Sequence, residues 1–235
     1  LYDPQRAHLQ PRDYSDASVI ADEINAIFGR TWLAIGHETQ LPRPGDFLVS
    51  RMAVDPVLLW RGLDGELRVF LNFCPLSGNR LCFAEVGHYA EIECRCHGLR
   101  FGSDGVVAGG VAELARVDRV DTFHGLIFAT HAAAEEGVAG YLGDFAVYLE
   151  PLLSGRSVVT SAMKATFDTN WKLPMDAFMS GLAVENDRRP IEPEPLDDLV
   201  QVQAGPGGLA GRWDADGSFQ ALRGALFPNL MLSWA

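Results

Sequence analysis

The chain has 235 residues, 48% of them hydrophobic and 21% charged, with a net charge of −12. This is the composition of an ordinary globular protein with one large or two modest domains. The acidic balance argues against a nucleic-acid binder, which needs a basic face, and no run reaches the ~18 apolar residues of a membrane span.

The N-terminus begins at Leu1 and carries no basic-then-apolar signal segment. A helix is expected over residues 15–29, capped by Ser15 or Asp16, with Val19, Ile20, Ile24, Ile27 and Phe28 at helical spacing. Short strand-like runs follow at Trp32–Gly36, Phe47–Met52, Val57–Trp60, Leu67–Leu71, Glu91–Cys94, Arg100-Phe101, Val106-Val107 and Leu126–Ala129. Turn signals separate them: Pro42-Arg43-Pro44-Gly45-Asp46, Asp55-Pro56, Asp64-Gly65 and Asp104-Gly105. Many short strands of this kind predict a small antiparallel sandwich over about 31–130. Beyond a soft boundary at Ala132–Gly137, the pattern predicts a helix over Tyr141–Leu153, a strand over Val158–Thr169 and a helix over Lys172–Leu182. An acidic, proline-rich loop over 185–198 and strands over Leu209–Trp213 and Phe219–Trp234 complete the chain.

All four cysteines fall between positions 74 and 96, in Cys74-Pro75-Leu76-Ser77-Gly78 and Cys94-Arg95-Cys96-His97-Gly98. Clustering with a histidine inside reads as metal binding more than as a disulfide framework; two structural disulfides or inert thiols are the alternative. A Rieske 2Fe-2S centre holds one iron by two thiolates and the other by two imidazoles, delivered as a C-x-H pair and a C-x-x-H pair. Here Cys94 and His97 form the second pair intact. The first keeps Cys74 but carries Leu76, which has no lone pair, where a histidine belongs. The candidate cluster and metal ligands are therefore Cys74, Cys94 and His97. Cys82, His88 and Cys96 are nearby candidates for the missing fourth place, although Cys96 adjoins His97 and leaves an extended segment on the opposite side. Gly78 and Gly98 suit tight turns close to a cluster, where a side chain would collide.

The chain resembles the alpha subunits of Rieske non-heme iron oxygenases. The segments that carry the resemblance are Arg30–His37, Leu41-Pro42-x-Pro44-Gly45-Asp46, Asp64–Arg68, Cys74–Cys82, Cys94–Leu99, His124–Phe128, Asn170-Trp171-Lys172 and Leu226–Leu232, in family order from about residue 10 to the end. The resemblance implies an α+β fold. A Rieske-type antiparallel β-sandwich at 31–135 is attached to a helix-grip catalytic domain, represented here in part by 1–30 and 136–235. It also implies a cytoplasmic, trimer-based oligomer, in which a ferredoxin or reductase feeds the 2Fe-2S cluster. The cluster feeds a mononuclear Fe(II) that activates O2 to hydroxylate or demethylate aromatic or quaternary-amine substrates.

The chain departs from the family pattern again after Asn170-Trp171-Lys172. The two iron histidines fall at Ala183 or Val184 and at Arg188 or Arg189, and the coupling carboxylate at Ser180 or Gly181; no histidine follows His131. A mononuclear Fe(II) site is not expected on this chain. Asp176, Glu185 and Asp187 offer only a weak hard-cation site, and a solvated acidic loop is the expected reading. Two functions follow from the resemblance: an oxygenase component that still carries a cluster, or a catalytically inactive structural or regulatory partner of an active alpha subunit. The strand-like run at the end also raises truncation, which accounts for missing catalytic histidines but not for Leu76.

Overall fold

The structure is a computed structural model that describes residues 10–133, 136–153, 157–179, 200–204, 207–213 and 219–234. Two short helices open it, α1 (Pro11–Ser15) and α2 (Ala17–Glu23), and a π-helical turn over Ile24–Phe28 prolongs the second. The break between them is made by Asp16. Its extended backbone leaves the helical range, and its carboxylate accepts from the Ser18 amide at 2.9 Å, capping α2. The helix predicted over 15–29 therefore starts four residues earlier, in a separate turn led by Pro11.

Nine strands follow: β1 (Leu33–His37), β2 (Asp46–Met52), β3 (Asp55–Arg61), β4 (Leu67–Leu71), β5 (Val86–His88), β6 (Glu91–Glu93), β7 (Arg100–Gly102), β8 (Arg119–Phe123) and β9 (Leu126–Thr130). They pair antiparallel in three sheets, ordered β1-β9-β8, β4-β3-β2-β5 and β6-β7. The β3–β4 hairpin turns at Asp64-Gly65, with Gly65 at φ +87° and the Asp64 carboxylate receiving the Glu66 amide at 3.0 Å. Alternation along β1 buries Leu33, Ile35 and His37. Leu33 and Ile35 join Leu48, Val57, Leu59, Val69 and Ile127 in one core, while Phe47, Leu58, Trp60, Phe70 and Phe101 build a second core beneath the cysteine loops.

Past the sandwich come α3 (Val138–Leu142), α4 (Phe145–Leu153) and α5 (Lys172–Met179), then a four-stranded sheet of β10 (Val200–Ala204), β11 (Gly207–Trp213), β12 (Phe219–Leu226) and β13 (Leu230–Trp234) in sequential order. The helix predicted over Tyr141–Leu153 is two helices, because Gly143 adopts φ +50° and ends the first. The strand predicted over Val158–Thr169 does not form. Residues 158–169 are exposed and have no ladder partner among the described residues, being held instead by the Val159 amide on Thr39 Oγ1 at 3.0 Å and by Lys164 on Glu85. Its alternation is strand-like, but alternation without a neighbouring strand makes no ladder. The overall architecture is α+β with antiparallel sheets throughout. No helix among the described residues is long and apolar enough to cross a membrane.

Candidate metal centre

Two loops built alike deliver the cysteine and histidine side chains. The first is pinched at its base by the Phe73–Arg80 bridge, the second by the β6–β7 ladder closing at Glu93 and Arg100. In the first, the Cys74 amide donates to the Asn79 carbonyl at 2.8 Å and the Gly78 amide to the Cys74 carbonyl at 2.8 Å. In the second, the Cys94 amide donates to the Leu99 carbonyl at 2.7 Å and the Gly98 amide to the Cys94 carbonyl at 2.8 Å. Gly78 and Gly98 have φ +67° and +65°. Beyond the flanking residues, no atom of the described residues lies within 4 Å of a Cβ built on either, so the left-handed backbone, not crowding by the chain, calls for glycine there.

The loops bring Cys74, Cys94 and His97 together: their two Sγ atoms and a ring nitrogen all lie within 4.8 Å of one another. His97 Nδ1 is 3.5 Å from Cys74 Sγ and 3.6 Å from Cys94 Sγ. Both cysteines are buried and His97 is exposed, so the set sits at the rim of the core with its imidazole outward. All four cysteines are free thiols.

Burial raises the Cys74 thiol, but the Leu76 amide, the Ser77 hydroxyl and the Cys94 thiol all donate to its sulfur, and the net effect lowers it to about 6. Burial, together with the neighbouring Cys74 sulfur, pushes Cys94 up, against amide donation from Cys96 and His97. The two neighbouring sulfurs are thus shifted in opposite directions.

Leu76 lies on the tip of the first loop, 61% exposed. None of the three candidates for the fourth place joins the group among the described residues. His88 is on β5, where its Nδ1 meets Asp46 at 2.8 Å. Cys82 is buried beside the Ala84 carbonyl at 3.6 Å, and burial pushes its thiol up. Cys96 is exposed, and its sulfur accepts from Asn79 Nδ2 at 3.5 Å. The donors present therefore supply three of the four ligands of a Rieske cluster. That shortfall does not fit the group, whose two irons need two imidazoles.

Sequence reasoning passed over Asn72. It is fully buried, receives the Cys82 amide on Oδ1 at 2.8 Å and donates Nδ2 to the Cys82 carbonyl at 2.8 Å. This two-way clamp ties together the ends of the Cys74–Cys82 loop. An amide side chain just before the first cysteine, within an otherwise apolar strand end, was the available signal. Of the acidic residues after Trp171, Asp176 accepts the Tyr14 hydroxyl at 2.6 Å; Glu185 and Asp187 lie outside the described residues, as do Ser180–Arg189.

Residues 31–132 match the family described as Rieske [2Fe-2S] domain. The biphenyl 2,3-dioxygenase alpha subunit of Rhodococcus jostii is 35% identical over 198 residues, which is 77% of this chain and 43% of the relative. The large oxygenase component of a naphthalene 1,2-dioxygenase system from Ralstonia is 34% identical over 183 residues, 71% of this chain and 41% of the relative. A solved naphthalene 1,2-dioxygenase with indole in its active site superposes with a TM-score of 0.77 at 26% identity, over 93% of this chain and 64% of that one. The chain thus spans well under half the length of these curated relatives. The Rieske-domain match and the paired-loop fold around Cys74 and Cys94 agree with these likenesses: the chain belongs to the alpha-subunit family of Rieske non-heme iron oxygenases.

Proposed function

We propose that the chain serves a Rieske oxygenase system, in O2-dependent hydroxylation or demethylation of a small organic substrate, as an alpha-type subunit that supplies scaffold and interface but no electron relay of its own. The observation that carries this reading is the intact pair of loops with Leu76 at one ligand position and no fourth donor beside Cys74, Cys94 and His97 among the described residues. A Rieske cluster conducts because both irons are fully ligated, and loss of one of four ligands weakens a site built for four.

The dioxygenase names of the relatives support an aromatic substrate for the system as a whole. On this reading the sandwich of 31–135 is one unit, and 1–30 with 136–235 form part of a catalytic unit. A ferredoxin or reductase acts on an intact alpha subunit, and this chain joins it in a trimer-based oligomer. The protein works in the cytoplasm. The acidic surface is suited to steering a basic electron-transfer partner toward the assembly.

Co-expression with an intact, iron-loaded homologue is the test. Co-purification in a fixed stoichiometry, with all Rieske-type EPR signal assigned to the homologue, is expected. A brown homo-oligomer of this chain alone, giving a Rieske EPR signal on reduction, would sink the proposal in favour of the cluster-bearing oxygenase component.

A further inference from the structure

The spacing of the three donors carries information beyond their identity. In a Rieske centre the thiolates and imidazoles bind different irons. A thiolate sulfur and an imidazole nitrogen are then separated by two metal–ligand bonds and the iron–iron vector between them. Around a single tetrahedral ion they are separated by one tetrahedral edge. With zinc–sulfur bonds of about 2.3 Å and zinc–nitrogen bonds of about 2.0–2.1 Å, that edge is about 3.6 Å. His97 Nδ1 stands 3.5 Å from Cys74 Sγ and 3.6 Å from Cys94 Sγ.

We propose that Cys74, Cys94 and His97 form a mononuclear tetrahedral site for a thiolate-loving divalent ion, zinc foremost, with its fourth corner open to solvent. The inference rests on the reading that the electron relay is lost. It adds that the pocket has been turned to a different metal and has not decayed.

Charge supports it. Two thiolates cancel the two positive charges of the ion, and a neutral imidazole adds none, so a half-buried site carries no unpaired charge. Two soft sulfurs and one imidazole also select zinc over magnesium, calcium or manganese.

The surroundings support it as well. Each cysteine is pinned at its backbone by its own loop: Cys74 by the Gly78 amide and the Asn79 carbonyl, and Cys94 by the Gly98 amide and the Leu99 carbonyl. Such bonds hold the two loops in place and with them the two sulfurs. The two loops match at Cys74 with Cys94 and at Gly78 with Gly98, but the first carries Leu76 at its second ligand position and brings no donor there. Among the described residues the metal therefore has three protein ligands. Three protein ligands and an exchangeable fourth are the pattern of zinc sites that bind or activate a small molecule.

The full-length chain, stripped with a chelator under reducing conditions, is titrated with Zn2+ against a chromophoric competitor, and with Co2+ as a visible probe. One ion per chain is expected, and the Co2+ form should show thiolate charge transfer with the intense d–d bands of four-coordination. His97 is exposed, so His97→Ala leaves the core intact. Removal of an outer-shell partner alone costs about 10- to 100-fold in metal affinity, and loss of this ligand should exceed about 100-fold while the thiolate band persists. Cys96→Ser should change neither stoichiometry nor affinity. Absence of any tight ion overturns the inference and leaves the silent-subunit reading standing. Two irons with two acid-labile sulfides per chain after anaerobic reconstitution overturn both. Equal damage from Cys96→Ser and His97→Ala overturns the ligand set.

Discussion

His88 lies between the cysteine pairs in sequence, yet in the fold it serves a carboxylate. Asp46 is buried at the start of β2, and three donors reach it: His88 Nδ1 at 2.8 Å, the Arg43 amide at 2.9 Å and the Arg43 guanidinium at 3.4 Å. Burial raises its carboxyl, but the bonds from His88 and Arg43 outweigh that and hold it below the usual carboxylate value. A carboxyl with a depressed folded value stabilises the fold fully above its unfolded value of about 3.9, and that stabilisation is lost as pH falls through the folded one. Denaturant unfolding followed between about pH 7 and pH 3 should therefore show a steep acid limb. Asp46→Asn should be less stable at neutral pH and show a flatter limb; parallel curves for the two proteins would refute the assignment. Proximity along the chain made His88 a candidate for the fourth ligand place, which it does not fill among the described residues. That proximity gave no sign that pairing of β2 with β5 sets Asp46 opposite His88.

At the scale of elements, Asn170-Trp171-Lys172 acts as a latch. Asn170 Nδ2 donates to the Tyr14 carbonyl at 2.9 Å and Trp171 Nε1 to Glu23 at 2.9 Å; Lys172 Nζ reaches both Glu23 oxygens at 2.6 and 2.7 Å. Trp171 also meets Phe28 edge to face, with ring centroids 5.1 Å apart. The motif thereby fastens the N-terminal helices to α5, which begins at Lys172. Both charges of the pair are largely buried, with side-chain exposures of 9% for Lys172 and 16% for Glu23. Glu23→Gln strands the ammonium and should cost about 3 kcal/mol. Lys172→Met combined with Glu23→Gln should cost clearly less than the two single changes added together, as read by a double-mutant cycle in urea. Additive losses would mean the pair does not act as a unit. The strands with strong alternation and the Asp-Gly hairpins were legible in the sequence because local pattern and turn chemistry agree there. Strands β5 and β8 were not: Val86–His88 is short, Arg119–Phe123 is polar, and each is a strand only because a neighbour pairs with it. The residues of the latch could be read, but not its purpose, since its partners lie at the other end of the described chain.

Across the whole molecule, the sandwich and the elements after it share one core. Trp32 and Phe128 from the sandwich pack with Leu142, Phe145 and Leu149 of α3 and α4 and with Leu226 of β12. Polar contacts cross the same seam. The Asn229 side chain bonds both the amide and the carbonyl of Ala34, at 3.0 and 2.8 Å, and the Tyr141 hydroxyl donates to the Phe227 carbonyl at 2.8 Å. Asn229 thus substitutes for a paired strand residue beside β1. The metal-site loops stand on a different cluster, built on Phe47, Trp60, Phe70 and Phe101, so events at the loops and at the seam are separable by mutation. Phe145 is fully buried at the centre of the seam. Phe145→Ala removes a ring that cannot be replaced by collapse between two packed layers, and should cost about 3–5 kcal/mol. Because the seam belongs to both parts, that loss should move a single unfolding transition, seen equally by far-ultraviolet circular dichroism and by tryptophan fluorescence. Two transitions, of which only one moves, would show that the sandwich folds independently of the helices packed on it.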